Sequence, residues 1–224
     1  MKAQEYVVTT VLNLSINDNN KCSIANANAI EPLIHVLHTG AKENSNATLF
    51  SLSSIEDCKM KIGTTGAFKP PMDLLENGTP RGKNDATTTL FNLSILHQNK
   101  ARVVQAGVVK FLVELMGPAA GMVDKAVAVL SNLITIHEGR KEIGQKGGIP
   151  ILVEVIELSS ARVKEKATTT LLQLCTNSSK FCNMVLHEGV VPPLNYFLDT
   201  SETNDMVMHG GADWTVNTYY SQDN

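Results

Sequence analysis

Few residues in this chain have the types and spacings that covalent chemistry needs. Cys22, Cys58, Cys175 and Cys182 form no Cys-x-x-Cys pair and have no histidine pair nearby. They read as reduced structural thiols and not as disulfides or zinc ligands. His35 and His38 lie three apart on one helix face, but no third ligand is fixed beside them. The run Gly144-Gln145-Lys146-Gly147-Gly148 has the glycines of a phosphate loop without the strand that should precede one. Lys42, Lys83 and Lys164 share a slot, yet Glu43, Asp85, Glu165 and Lys166 interleave with them, so they form a solvated ion-pair face and not a basic stripe. No nucleophile, base and orienting group line up. The expectation is a chain with no catalytic residues of its own, no cofactor and no metal.

Composition narrows the class further. Of 224 residues, 43% are apolar and 18% charged, enough for a continuous core and too apolar for a disordered chain. Aromatics make up only 5%, so the core must be aliphatic, which suits closely packed helices. A formal charge of -3 argues against a phosphate-neutralising surface, so nucleic acid is not expected as a partner. No apolar window is long enough to span a membrane, and the first residues do not resemble a secretory signal. Cytoplasmic or nuclear placement follows as an expectation.

The elements that must position any site come from a repeat. Val11-Leu12-Asn13-Leu14-Ser15 recurs around Ser51, Asn92, Asn132 and Gln173, at steps of 38, 41, 40 and 41 residues. A second marker keeps phase with it, at Asn28, Gly66, Gly107, Gly147 and Gly189. Between the two markers lies a short helix closed by a residue that tolerates the left-handed conformation. A second helix follows, with an apolar face such as Val109, Leu112, Val113 and Met116. A third helix then carries residues such as Ala86, Leu90 and Leu93 inward. Three helices per 40 residues, stacked in tandem, describe an all-α solenoid in which each unit buries its apolar face only against its neighbours.

Complete units are expected at about 16–54, 55–95, 96–135 and 136–176, with a partial unit at each end of a 1–198 domain. That makes about five repeats, and 199–224 reads as a divergent, disordered tail. Uncapped apolar end faces make self-association an expectation.

The units resemble armadillo repeats, through Gly147-Gly148-Ile149-Pro150-Ile151-Leu152-Val153 and Ala86-Thr87-Thr88-Thr89-Leu90-Phe91-Asn92-Leu93-Ser94. Within that class, Leu14-Ser15-Ile16-Asn17-Asp18-Asn19-Asn20-Lys21 and Asn77-Gly78-Thr79-Pro80-Arg81-Gly82-Lys83 are similar to the armadillo region of plant U-box E3 ubiquitin ligases, in the group of U-box domain-containing protein 4. The resemblance implies a right-handed armadillo solenoid. It also implies a groove, lined by third helices, that binds a protein substrate or a receptor-like kinase while a separate U-box performs ubiquitin transfer. These residues would be the recognition half, without transfer activity. A U-box-free adaptor competing with the full ligase, or a decayed truncated product, are the alternatives.

In that groove the marker residue holds an extended peptide, because a carboxamide both donates and accepts and so matches any peptide unit. The role carries over to Asn13, Asn92 and Asn132, with Ser51 shorter and Gln173 longer at the same slot. The lysine-clamping Trp of import receptors is absent at Thr9, Ala47, Thr88, Ala128 and Thr169, which excludes that version of the groove. The first complete unit is two to three residues short before Lys42, which predicts a tightened turn or a frayed helix near 39–44. Pro71 and the triplets Thr87-Thr88-Thr89 and Thr168-Thr169-Thr170 are costly choices for helical positions.

Overall fold

A computed structural model describes residues 2–39, 42–117, 121–176 and 178–200. Among these residues there are fifteen helices and no strand. They are α1 (Lys2–Ser15), α2 (Asp18–Asn26), α3 (Ile30–Thr39), α4 (Lys42–Leu52), α5 (Glu56–Thr64), α6 (Lys69–Asn77), α7 (Pro80–Ile95) and α8 (His97–Gln105). They continue as α9 (Val108–Leu115), α10 (Val123–Leu133), α11 (His137–Gln145), α12 (Gly148–Leu158), α13 (Ala161–Cys175), α14 (Ser179–His187) and α15 (Val191–Thr200). Of the tail expected at 199–224, residues 199 and 200 close α15, and the rest lies outside the described residues.

The left-handed residues punctuate the chain in register. Asn28 (φ 56°), Gly66 (70°), Gly107 (84°), Gly147 (76°) and Gly189 (74°) each separate a first helix from a second, and Asn28 is the one non-glycine with positive φ among the described residues. A β-carbon disfavours this conformation, and Asn is among the few side chains that tolerate it. The reversal sends each second helix back across the first.

Helices of the same kind pack on one another from unit to unit. The third helices α1, α4, α7, α10 and α13 stack side by side in one unbroken row, and α2, α5, α8 and α11 form a second rank. At two slots of the row, Leu49 and Leu52, Leu90 and Leu93, Leu130 and Leu133, and Leu171 and Leu174 are buried in one continuous core. Each such leucine contributes about 1.5–3 kcal/mol through burial, and neighbouring third helices supply part of the cover. Leu14 on α1 occupies the same slot but is 50% exposed.

The proline and threonine choices are accommodated locally. Pro70 and Pro71 sit in the first turn of α6, where the missing amide protons have no intrahelical acceptor. The hydroxyls of Thr87, Thr88 and Thr89 donate to the carbonyls of Lys83, Asn84 and Asp85 four residues back. Thr169 and Thr170 do the same to Glu165 and Lys166. Thr168 differs, because its hydroxyl oxygen is buried without a partner. In the short first unit, α4 begins at Lys42, the slot at which α10 begins, whereas α7 and α13 start three residues earlier. The link at 40–41 lies outside the described residues.

The glycine-rich run at 144–148 is a repeat junction. Gly144 lies inside α11 where any β-carbon would overlap the ring of Phe181, and Gly147 supplies the left-handed reversal into α12. A packed helical glycine and a reversal are the reasons for these residues, and neither is a phosphate cradle.

One unit carries uncompensated polarity. Ser45 and Asn46 on α4 are fully buried, and Ser45 Oγ and both polar atoms of the Asn46 amide have no hydrogen-bond partner. The same two slots hold Ala86 and Thr87, Ala126 and Val127, and Ala167 and Thr168 in later units. An unsatisfied buried polar group costs about 1–3 kcal/mol. Ser45→Ala and Asn46→Val are therefore expected each to raise the urea midpoint, by an equivalent of about 1–2 kcal/mol. Gly144→Ala is expected to lower it through the clash with Phe181. Urea titrations followed by circular dichroism check all three, and a fall in midpoint for Asn46→Val would contradict the assignment.

Candidate protein-binding groove

The five marker residues all lie on the row of third helices, but most are engaged between repeats. Ser51 Oγ donates to the Ser15 carbonyl at 2.7 Å. Asn92 Nδ2 donates to Ser53 Oγ at 2.9 Å, and Asn132 Nδ2 donates to Ser94 Oγ at 3.0 Å. The accepting serines stand two residues after the marker of the preceding unit, are fully buried, and donate onward to Phe50 and Phe91 carbonyls. Asn13 is exposed on α1. Gln173 meets Ile134 at the accepting slot, finds no hydroxyl there, and keeps its Oε1 buried and unpartnered. The row is thus a set of inter-repeat rungs more than an open ladder of amides. Among the described residues nothing donates to the Oδ1 atoms of Asn92 and Asn132, and these atoms are not sealed from solvent.

Similar rungs cross the other half of the row. Asn44 Nδ2 donates to Thr9 Oγ1 at 3.1 Å. Lys125 Nζ donates to Asn84 Oδ1 at 2.6 Å and to Thr88 Oγ1 at 2.9 Å. Lys166 pairs with Asp124 at 3.1 Å. Ser131 and Thr170 share a hydroxyl contact at 2.8 Å. Thr9 and Thr88, two of the slots where an import receptor would carry Trp, are therefore occupied in fastening third helices together.

A row of cations, which the sequence reading did not pick out, borders the marker residues. Lys21, Lys59, Lys100 and Arg140 stand eight residues after successive markers. Lys21 Nζ reaches forward to Ser54 Oγ at 2.9 Å, and Lys100 Nζ reaches Thr135 Oγ1 at 2.8 Å. Partial burial pulls the Lys100 ammonium below its ordinary pKa. Only Lys21 among the four has a carboxylate partner, Asp18 at 2.7 Å. The signal was present in the sequence as a 40-residue step in charge, hidden by the lysines at other slots.

The described residues contain no group of three or more His, Cys, Asp or Glu placed to hold a metal. His35 is exposed on α3. No helix is long and apolar enough to cross a membrane. The thiols are all unpaired, with Cys22 exposed and Cys58 buried. Burial first, and then the neighbouring Cys182, pushes the Cys175 thiol up to about 12.

The stacked triplets and the row of third helices define an armadillo solenoid. A computationally designed armadillo repeat protein for modular peptide recognition superposes with a TM-score of 0.77 at 18% identity, covering 84% of this chain and 83% of that one. A designed armadillo protein in complex with the peptide (KR)4 superposes with a TM-score of 0.75, also at 18% identity, covering 91% and 86%. These likenesses establish the fold.

Sequence relationship then gives the family. The family described as the plant U-box protein ARM repeat region matches residues 4–204, and the chain belongs to it. From Arabidopsis thaliana, U-box domain-containing protein 17 is 37% identical over 179 residues, covering 77% of this chain and 25% of the relative. U-box domain-containing protein 4 is 70% identical over 69 residues, covering 31% of this chain and 8% of the relative. The chain spans a quarter or less of the length of these two relatives.

The thiols provide a direct check of burial in this region. With its folded-state pKa raised above the ordinary value of 9.0, Cys175 favours the fold below pH 9 and loses that contribution as pH climbs towards about 12. Replacing it by Ala should flatten the decline in stability across that window. Iodoacetamide at pH 8 should label Cys22 well before Cys175, and the reverse order, read by mass spectrometry, would contradict the burial.

Proposed function

We propose that this chain is the partner-recognition array of a plant U-box type ubiquitin ligase, receiving an extended segment of a protein along the row of third helices. The observation that carries this reading is the pair of uncommitted Oδ1 acceptors on Asn92 and Asn132. Each amide spends a donor on the previous unit and retains an acceptor for a peptide N–H. Because the rungs hold the carboxamides in place, little side-chain freedom is lost on binding. Recognition of this kind reads the backbone, and neighbouring side chains supply the selectivity.

Ubiquitin transfer in this reading is the work of the U-box of such ligases, and the array selects what is modified. A protein substrate or the cytosolic part of a receptor-like kinase is the class of partner that the family points to. Working in the cytoplasm or nucleus is consistent with reduced thiols throughout.

Selection of random twelve-residue peptides on the protein tests the groove. A photo-reactive residue at Thr169, exposed on α13, is expected to crosslink the selected peptides, whereas one at Leu158, 72% exposed at the end of α12, is not. Asn92→Ala and Asn132→Ala should each weaken binding about fivefold, the worth of about 1 kcal/mol per lost hydrogen bond. Crosslinking from 158 alone would place the binding surface elsewhere.

A further inference from the structure

One joint in the row lacks both of the fastenings seen elsewhere. Between α10 and α13, Gln173 faces Ile134 where Asn92 and Asn132 face serines, so the rung between marker and serine is missing. The cation rung is missing too. Arg140 occupies the slot of Lys100, and Thr176 occupies the slot of Thr135, but Arg140 does not reach forward. Its Nη1 instead turns back to the carbonyls of Ile134 at 3.1 Å and Thr135 at 3.4 Å. Where the two rungs would run there is a shallow recess of ≈ 280 Å³, lined by Ile134, Thr135, Arg140, Gln173 and Thr176.

The chemistry of this recess is unbalanced. Arg140 has no carboxylate within ion-pair distance among the described residues, and its Nε and second terminal nitrogen make no hydrogen bond within the chain. Lys100 reaches the recess through Thr135 and has no carboxylate partner either, so a second uncompensated cation borders it. The Gln173 carboxamide keeps its oxygen sealed and unpartnered, while its NH2 makes no hydrogen bond among the described residues and is not sealed, which leaves an amide donor open to the recess. A guanidinium with unused donors, an amide donor and an apolar floor at Ile134 together match a carboxylate carried on a short aliphatic stem.

Resting on the groove reading above, we infer that the Arg140–Gln173 recess is a subsite for an acidic side chain of the bound segment, with the carboxylate held by the free Arg140 donors and by the Gln173 amide. A Glu or Asp placed here fixes the register of the segment along the row. The sites at Asn92 and Asn132 bind backbone and cannot set register by themselves. An acidic residue is preferred to a neutral or basic one because the two cations are otherwise uncompensated.

Fluorescence polarisation at low salt with three labelled peptides, (Glu-Gly)4, (Gln-Gly)4 and (Lys-Gly)4, tests the subsite on the intact chain. The acidic peptide should bind at least tenfold tighter than the other two. Arg140→Gln should remove most of that preference, and Lys141→Gln, on the same helix, should change it less than twofold. Because Arg140 also holds helix-end carbonyls, Gln173→Leu provides the second test. It removes a buried oxygen with no partner, so it should unfold at a temperature equal to or above that of the parent, yet bind the acidic peptide at least fivefold more weakly. Equal binding of the three peptides, no binding of any, or unchanged acidic preference in both variants would overturn the subsite. The backbone-binding groove would then still stand or fall on crosslinking from Thr169.

Discussion

No unit of this chain can close its own core, and every other property of the molecule follows from that dependence. The paired leucines of each third helix are covered partly by the next unit, so apolar burial, the largest favourable term, is shared across every joint. Sharing requires neighbouring units to meet in one register. The left-handed residue between first and second helices sets that register from within, since it fixes the angle at which each unit folds back before it meets its neighbour.

The polar residues on the row answer a second constraint, which is that a surface open enough to bind must still be held together. Asn92, Asn132, Lys125 and Lys100 each cross to an adjacent unit, converting flexible polar side chains into fixed ones. What remains for a partner is the part of each group not used in fastening: an amide oxygen, an ammonium's remaining protons, an unengaged guanidinium edge. Such a surface offers few groups, but it offers them already oriented. The price is that substitution of one of these residues changes stability and binding together.

The fold was largely legible in the sequence because the physics that sets it is local and periodic. The 40-residue step, the apolar face of each second helix and the closing Gly or Asn all reappear at the expected places. The groove was legible only in part. That Asn92 and Asn132 share a slot is visible in the sequence. That they reach Ser53 and Ser94 depends on how third helices are offset against one another, and no single helix encodes that offset. The serines were visible as part of the Leu-Ser ending, but nothing in the linear chain distinguished a buried acceptor from a helix-end hydroxyl. Arg140 was missed for a similar reason, because its slot is recognisable as a cation row only after the first helices are laid beside the third. In the short first unit the missing residues predict a tightened turn or a frayed helix near 39–44. The structure puts the start of α4 at the slot where α10 begins, with the link itself outside the described residues.

The joint between α10 and α13 has its remaining polar fastenings on one side only. Ser131 with Thr170 and Lys166 with Asp124 tie the two helices ahead of their marker residues, while among the described residues no hydrogen bond or ion pair ties their last turns around Gln173. Opening the edge beyond the Ser131–Thr170 contact breaks no hydrogen bond or ion pair between the two helices, so bending there costs fewer polar contacts than at the joints stapled by Asn92 and Asn132. Any bend taken up at this joint would alter the curvature of the row and reposition α14 and α15 relative to the units ahead of it.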